Sequence, residues 1–238
     1  MISLVVPVFN EAANIRTFLA DVDKNVNELH ETLLVYDFPE DSTLPAVAAM
    51  QPPSSSVRLV HNTLGRGVLN ALKAGLAAAR GDVVVVMMAD CSDDASDVAG
   101  MAALIRSGAD VVAGSRYSKG GKQVGGPWLK RTLSWLAGTS LHYLAGLPIH
   151  DATNNFRAYS RRVVEQCSIE IAAGFSVAME LTLKAHWNGW RVLEVPTTWR
   201  DRTEGTSRFR LWAWLPHYLR WYFLAMRRAW FGSRRRSG

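Results

Sequence analysis

The chain has 238 residues and a formal net charge of +6, with 48% hydrophobic and 20% charged residues. This balance is typical of a globular protein, leaves room for one sizeable α/β domain with at most a short appendage, and excludes a chain that is disordered throughout. The two cysteines, Cys91 and Cys167, stand in no metal-type or redox-type spacing, which argues against a disulfide scaffold and favours a reducing, cytosolic setting.

Short apolar strands alternate with helical segments through the first half of the chain. The predicted strands cover Ser3–Val8, Thr32–Tyr36, Val57–His61, Asp82–Met88 and Asp110–Ala113. The predicted helices lie between them, at Ala12–Leu29, Thr43–Met50, Gly67–Ala79 and Asp97–Ser107. Such alternation indicates βαβ units and a mostly parallel sheet.

The second half of the chain alternates less regularly. The pattern predicts, in order, a Gly- and Lys-rich loop at Gly114–Gly126, a helix at Trp128–Leu147, a polar turn and strand at Asp151–Tyr159, a helix at Ser176–Asn188, a strand at Arg191–Trp199 and a polar loop at Asp201–Ser207. The last segment, Leu211–Phe231, is aromatic and basic, and Pro216 is expected to break it into two short helices.

Polar side chains follow three of the predicted strands at their carboxyl ends. Asn10 and Glu11 follow the first strand, Asp37 the second and Asp90 the fourth. Because ligands of parallel α/β sheets bind beyond these ends, we expect the four residues to share one rim, where the acidic loop at Asp37 can hydrogen-bond a nucleoside base or ribose. The alternatives are a plain strand-to-helix turn for the first pair and a solvated acidic loop for Asp37.

The fourth strand runs into the segment VVVVMMADCSDD (83–94). A buried strand that delivers Asp90, with Asp93 just beyond it, suits a hard cation, because Mg²⁺ and Mn²⁺ prefer carboxylate oxygen together with substrate phosphate. The alternative is a helix N-terminus, where acids such as Asp93, Asp94 and Asp97 are favourable. We assign Asp90 to a metal or nucleotide and Asp97 to the helix start.

Basic side chains in the second half are candidates for clamping phosphate groups, since paired guanidinium and ammonium groups neutralise them well. These candidates are Arg116, Lys130, Arg131, Arg157 and Arg202. For each of them the alternative is a solvated surface charge.

Seven segments together carry a family resemblance. They are VVPVFNEAANI (5–15), the pair Asp37 and Asp41, GRGVLNALKAGLAAARGDVVVVMMAD (65–90), GSRY (114–117), DATNNFRAY (151–159), MEL (179–181) and EVPTTWRDRTEGTSRF (194–209). In this order they resemble family 2 glycosyltransferases of the GT-A fold, close to dolichol-phosphate mannose synthases and bacterial polyprenyl-phosphate sugar transferases. The resemblance implies an α/β GT-A domain with a mostly parallel central sheet, which we assign to residues 1–209.

The resemblance also implies roles at the matching positions. Nucleotide binding falls to Pro7, Asn10, Glu11, Asp37 and Asp41. Catalysis falls to Asp90 near the diphosphate, Asp151 facing the sugar, and Arg202. Phosphate and acceptor binding falls to Arg116, Arg131, Arg157, Ser207 and Arg208.

One position departs from the family pattern. The metal site of the family usually reads Asp-x-Asp, whereas this chain has Met88-Ala89-Asp90. We expect Mg²⁺ or Mn²⁺ as the cofactor, held by Asp90 with Asp93 in place of the lost ligand. The departure leaves metal dependence open, and it motivates the alternative of a catalytically inactive scaffold that binds nucleotide sugars.

The basic character of the chain is concentrated at its end. From Arg208 to Gly238 there are eight arginines and no acidic residue. Arginine with aromatic bulk suits an anionic membrane interface, so residues 210–238 are predicted to be a membrane-interface helical segment. The alternatives are a helix packed on the domain core and a nucleic-acid surface, and no recognisable nucleic-acid module accompanies the tail.

These features predict an inverting glycosyltransferase that moves a sugar from GDP-mannose or a UDP-hexose to polyprenyl or dolichyl phosphate. No stretch is long and apolar enough for a transmembrane helix, so we expect a peripheral protein at the cytoplasmic face of the membrane. The alternative within enzymes is a family 2 transferase with a glycolipid or polysaccharide acceptor. The sequence leaves the base, the sugar, the lipid length and the oligomeric state open.

Overall fold

A computed structural model describes residues 1–50, 56–170, 174–201 and 211–232. The strands are β1 (Ile2–Pro7), β2 (His30–Tyr36), β3 (Val57–His61), β4 (Val83–Val86), β5 (Val111–Ser115), β6 (Lys122–Val124), β7 (Arg157–Ser160), β8 (Val192–Pro196) and β9 (Thr198–Arg200). The helices are α1 (Ile15–Asn25), α2 (Thr43–Ala48), α3 (Val68–Ala78), α4 (Asp97–Arg106), α5 (Trp128–Ala145), α6 (Arg161–Gln166), α7 (Val177–Trp187) and α8 (Leu211–Phe231).

Seven strands form the central sheet, in the order β3-β2-β1-β4-β7-β5-β8. Neighbouring strands pair in parallel, except that β7 runs antiparallel to β4 and β5. The predicted α/β class with a mostly parallel sheet is therefore confirmed. The carboxyl ends of β1, β2 and β4 meet at one edge of this sheet, where ligands of such folds bind.

Two apolar layers cover the sheet, one on each face. Along β4, Val84 and Val86 belong to the layer with α3, α7 and α8, whereas Val83 and Val85 belong to the layer with α1 and α4. All four side chains are buried because successive residues of a strand point to opposite faces and both faces are covered. This double burial explains the uninterrupted apolar run that predicts the strand.

The segment Gly114–Gly126, predicted as a loop, contains a short strand. β6 within it pairs in parallel with β9 in a separate two-stranded sheet. Neither strand has an apolar pattern, and the backbone hydrogen bonds come from residues distant in sequence, such as Lys122 N to Thr197 O at 2.9 Å. Helix α6 was also missed, because a segment of six residues is too short to show a helical period. Ser160 caps its start by accepting a hydrogen bond from the backbone N–H of Val163.

The predicted break at Pro216 is wrong, since α8 is one helix of 21 residues. An internal proline removes one hydrogen bond and costs about 3 kcal/mol. Packing on α5 and α7 offsets this cost by burying Trp221, Ala225 and Met226.

Within the described part of the chain no helix is both long and apolar enough to cross a membrane. The proposed boundary between residues 209 and 210 lies outside the described residues.

Candidate active site

A large cavity of about 1010 Å³ opens beyond the carboxyl ends of the central strands. Nine of the residues that the sequence singled out line it together, and they are Pro7, Asn10, Glu11, Asp37, Asp90, Asp93, Arg116, Lys130 and Arg131. The prediction that the strand ends share one rim is thus confirmed. The two-stranded sheet contributes a wall through Gln123, Trp199 and the adjoining Asp201.

The loop after β1 is held in place by Asp41, which has no exposed surface. The Asp41 carboxylate accepts hydrogen bonds from the backbone N–H of Asn10 at 3.1 Å and of Thr43 at 2.8 Å. These bonds hold Asn10 in the left-handed conformation, with φ of 54°. Asp41 does not line the cavity, so its assignment to direct nucleotide binding is corrected to a positioning role.

Asp37 reaches the cavity from the end of β2 and is fixed by two donors. It accepts hydrogen bonds from Asn62 Nδ2 at 2.7 Å and from the backbone N–H of Gly67 at 2.8 Å. Gly67 has φ of 120°, which only glycine adopts readily. Asn62 was missed by the sequence analysis, and its position directly after β3, on the same edge, was the available signal.

Arg66 lines the cavity and was also missed by the sequence analysis. Its guanidinium lies 5.1 Å from the centroid of the Phe38 ring, and Phe38 in turn packs edge-on against Phe9 at 5.3 Å. The three side chains lie beside Asp37, between the loops after β1, β2 and β3. They supply cationic and aromatic surface next to the acid that we assign to the nucleotide.

The acidic pair lies at the end of β4. Asp90 and Asp93 are both buried, and burial together with the charge of Asp90 raises the pKa of Asp93 to about 7. The backbone N–H of Met88 donates to Asp93 Oδ2 at 3.1 Å, so Asp93 is held towards the position of the missing family ligand. Burial, with the charges of Asp90, Asp21 and Glu11, raises the pKa of the Cys91 thiol to about 11, which makes Cys91 a poor nucleophile.

The donor set at this pair fits a divalent cation of the Mg²⁺ type. Such ions are held by one or two carboxylates together with substrate phosphate oxygens, which matches Asp90 and Asp93 at the edge of the cavity. The thioether of Met88 adds no ligand that a hard cation prefers. Among the described residues no cluster of three or more His, Cys, Asp or Glu side chains could hold a metal by itself.

A buried ion pair forms the floor of the site. Arg116 Nε donates to Asp151 Oδ2 at 2.7 Å and Arg116 Nη2 to Asp151 Oδ1 at 3.0 Å. Burial favours the neutral acid, but the charge and hydrogen bonds of Arg116 outweigh it and lower the pKa of Asp151. Asp151 is fully buried and does not line the cavity, so the prediction that it faces the sugar is corrected: it aligns Arg116.

Arg116 is also tied to helix α5. Its Nη2 atom donates to Ser134 Oγ at 2.9 Å and to Thr153 Oγ1 at 3.0 Å. Ser134, Lys130 and Arg131 all line the cavity from the first turns of α5, where the helix dipole also favours an anion. This group of side chains, with Arg116, is a suitable site for a phosphate.

Arg157 was predicted to bind phosphate, and the structure corrects this assignment. The side chain is completely buried and lies outside the cavity lining. It donates to the backbone carbonyls of Asn154 at 2.9 Å and Asp151 at 2.6 Å, and to the Thr182 hydroxyl. Arg157 therefore supports the loop that carries Asp151 from beneath. The remaining predicted residues, Arg202, Ser207 and Arg208, lie outside the described residues.

The far half of the cavity is apolar and was not predicted. Helices α5, α7 and α8 line it with Leu133, Leu136, Ala137, Met179, Leu215, Tyr218, Leu219 and Tyr222. Phe175 and Trp214, whose rings lie 4.8 Å apart, close one side. The cavity thus passes from acids, through cations, to an apolar groove.

Comparison with known proteins places this geometry in context. The family model described as "Glycosyl transferase family 2" matches residues 3–168. A polyprenol monophosphomannose synthase of Mycolicibacterium smegmatis is 33% identical over 212 residues, which cover 86% of this chain and 79% of that protein. An undecaprenyl-phosphate mannosyltransferase of Micrococcus luteus is 30% identical, over 86% of this chain and 85% of that protein. A dolichol-phosphate mannosyltransferase of Pyrococcus furiosus is 30% identical, over 88% of this chain but 59% of that protein.

Solved structures match the fold over nearly the whole chain. The crystal structure of glucosyl-3-phosphoglycerate synthase from Mycobacterium tuberculosis, in complex with Mn²⁺, UDP and phosphoglyceric acid, superposes with a TM-score of 0.72. The alignment covers 95% of this chain and 78% of that chain at 20% sequence identity. At this identity the likeness establishes the fold alone, and it confirms the predicted GT-A architecture.

Proposed function

Since the chain belongs to glycosyl transferase family 2 and is therefore a glycosyltransferase, we propose that it moves a sugar from a nucleoside diphosphate to a polyprenyl phosphate lipid. The observation that carries the proposal is the order of surfaces in the cavity. Asn10 and Asp37 suit a nucleoside, Asp90 and Asp93 a metal-bound diphosphate, and Arg116 with the start of α5 a second phosphate. The groove beyond that phosphate site is apolar, which suits a phosphate ester of a hydrocarbon.

The names of the relatives support the same acceptor class. Three of them are named for polyprenol, dolichol and undecaprenyl phosphates, and all three for mannose transfer. We propose a nucleoside-diphosphate hexose as donor, GDP-mannose or a UDP-hexose, and we leave its base and sugar to experiment.

The chemistry of this reaction needs positioning more than proton transfer. A phosphate monoester is largely ionised at neutral pH because its second pKa is about 6, so its oxygen attacks without a general base. Asp151, which is ionised and paired with Arg116, fits this requirement, since it is not available as a base. The acceptor oxygen forms a bond to the anomeric carbon, the bond to the diphosphate oxygen breaks, and the electron pair leaves with the nucleoside diphosphate. A single displacement of this kind inverts the anomeric centre.

Each charged group has a defined part in that displacement. Arg116 and the first turns of α5 hold the acceptor phosphate in line with the anomeric carbon. Asp90 and Asp93 would hold Mg²⁺ or Mn²⁺, which when bound neutralises the charge of the diphosphate. Asn10, Asp37 and the loops that fix them orient the nucleoside.

We further propose that the protein acts peripherally at the cytoplasmic face of an anionic membrane. The outer faces of α5 and α8 together expose large apolar side chains, namely Trp128, Trp135, Tyr143, Leu144, Phe223, Trp230 and Phe231. Trp230 Nε1 donates to the Leu144 carbonyl at 3.2 Å, so the two helices form one surface. Arg220 and Arg227 are exposed on α8 and suit anionic headgroups.

A transfer assay with the purified full chain tests the proposed function. Labelled GDP- and UDP-sugars are offered with a polyprenyl phosphate, with the matching polyprenol, and with Mg²⁺, Mn²⁺ or a chelator. We expect label on the lipid phosphate with an inverted linkage and none on the alcohol. Transfer to the alcohol instead would point to a different acceptor class. Nucleotide binding without transfer would point to an inactive scaffold, and Met88→Asp would then be the first reversion to assay.

A further inference from the structure

Two tyrosines of α8, one helical turn apart, line the apolar groove with different surroundings. Tyr222 donates its hydroxyl hydrogen to Ser140 Oγ on α5 at 3.0 Å. The Tyr218 hydroxyl forms no hydrogen bond with any of the described residues, although the side chain lines the same cavity. Tyr218 is partly exposed within the cavity lining, so its hydroxyl is open to a polar atom of a ligand in the cavity.

Tyr218 stands at the polar end of the groove. Tyr222 bonds to Ser140 and Trp230 to Leu144, so α8 runs in the same direction as α5, and Tyr218, one turn before Tyr222, lies towards the Ser134 end of α5. Burial raises the pKa of Tyr218. Its phenol is therefore protonated at neutral pH and available as a neutral hydrogen-bond donor. Tyr222, four residues further along the helix, lies deeper in the apolar part.

Helix α5 provides the opposite wall and shows the same change of character along its length. In chain order its cavity-lining residues are Lys130, Arg131, Leu133, Ser134, Leu136, Ala137 and Ser140, so both of its cations stand at the start. From Ser134 to Ser140 the helix rises about 9 Å, at 1.5 Å per residue. A phosphate beside Ser134 would therefore have its hydrocarbon chain directed between α5 and α8.

We infer that Tyr218 is an acceptor-binding residue, whose hydroxyl donates a hydrogen bond to the acceptor phosphate while the groove between α5 and α8 encloses the first isoprene units of the lipid. The inference rests on the proposed function. It assigns recognition of the acceptor to α8 as well as to Arg116 and α5. The reacting end of the lipid then lies within the protein and not within the bilayer.

The phosphate part of the inference is tested with Tyr218→Phe, which removes only the hydroxyl. Tyr36→Phe is the matched control, because Tyr36 is stacked on His61 outside the cavity lining. With a short, water-soluble isoprenyl phosphate, kcat/KM for the acceptor should fall about tenfold or more, since a hydrogen bond to a charged group is lost. The KM for the donor and the unfolding temperature should stay at wild-type values, as should all values for Tyr36→Phe.

An unchanged acceptor kcat/KM in Tyr218→Phe would overturn the assignment. A rise in the donor KM as large as the fall in acceptor kcat/KM would also overturn it, because the hydroxyl would then support the whole site and not the acceptor alone. These outcomes are distinct from failure of the proposed function, in which the wild-type chain itself transfers no sugar to any isoprenyl phosphate.

The groove part is tested with Ala137→Trp, which fills the apolar half without altering a charge. For the wild type, KM should fall as isoprene units are added to the acceptor, and in Ala137→Trp this dependence on chain length should disappear. If the variant does not fold, Leu219→Ser on the facing helix should weaken the same dependence. A chain-length dependence equal to that of the wild type in a folded variant would show that the lipid leaves the site by another path.

Discussion

At the scale of single residues, the ion pair between Arg116 and Asp151 decides how the site is built. The two residues are 35 apart in sequence, and the pairing leaves Asp151 with no exposed surface. An acid that the family resemblance assigns to the sugar thus becomes the group that orients a phosphate-binding arginine. Arg157 beneath them serves the same loop through two carbonyls, so its charge is not directed at a ligand.

We predict that Asp151→Asn destabilises the protein and lowers activity together. Removing one partner of a buried ion pair leaves the other charge unpaired, which lowers the free energy of unfolding by about 3–5 kcal/mol. Chemical denaturation measures this change. In the double variant with Arg116→Met the loss should be smaller than the sum of the two single losses, and strict additivity would argue against a coupled pair.

We predict that Asp90→Asn lowers the rate of transfer by roughly 100-fold or more while the fold is retained, since charge stabilisation of the leaving group is lost. Asp94→Asn is the matched control. Asp94 lies outside the cavity lining, where it bonds Ser96 Oγ at 2.6 Å. Steady-state rates and thermal unfolding of both variants check the prediction, and similar rates for the two would remove the assignment of Asp90.

At the scale of elements, α5 combines three surfaces in one helix. Its first turns carry the cations of the site, its inner face lines the groove, and its outer face exposes Trp128, Trp135 and Tyr143. The sequence predicted a helix at Trp128–Leu147, close to the observed Trp128–Ala145. It did not predict which face meets α8, because α5 carries apolar residues on both its inner and its outer face.

A glycine at the centre of α5 gives an element-scale prediction. A Cβ atom at Gly138 would lie well inside van der Waals contact with the carbonyl oxygen of His150, so Gly138→Ala should lower the free energy of unfolding by about 1–3 kcal/mol. A Cβ atom at Gly100 in α4 would have no neighbour within 4 Å, and there the same change should stabilise by about 0.5–1 kcal/mol. Thermal denaturation distinguishes the two, and equal shifts would contradict the close contact.

At the scale of the whole molecule, the C-terminal segment joins the site to an outer apolar surface. One face of α8 is buried, with Trp221 only 2% exposed, as the alternative of a helix packed on the core predicts. Its other face leaves Phe223 62% and Phe231 68% exposed, beside Tyr143 of α5 at 72%. The aromatic residues of the segment therefore contribute both to the buried contact with the domain and to the exposed apolar surface.

We predict that the double variant Tyr143→Glu and Phe223→Glu binds anionic vesicles at least roughly tenfold more weakly, because two apolar groups at the interface are replaced by like charges. Leu29→Glu is the control, since Leu29 is 76% exposed but lies before β2, away from α5 and α8. Sedimentation with vesicles measures the binding. Equal losses in the control would mean that net charge, and not this surface, governs attachment.

The sequence by itself determined the α/β class, the run of strands β1 to β5 and the acids at their ends, because strand burial and parallel order are encoded by local apolar pattern and by the alternation of strands with helices. It also determined the family, through short segments in a fixed order. Tertiary structure alone decided that Asp41, Asp151 and Arg157 hold loops in place, that α8 is continuous through Pro216, and that an apolar groove joins the phosphate site. Each of these depends on contacts between residues distant in sequence, and no local pattern records which partner a buried charge or an apolar helix face will meet.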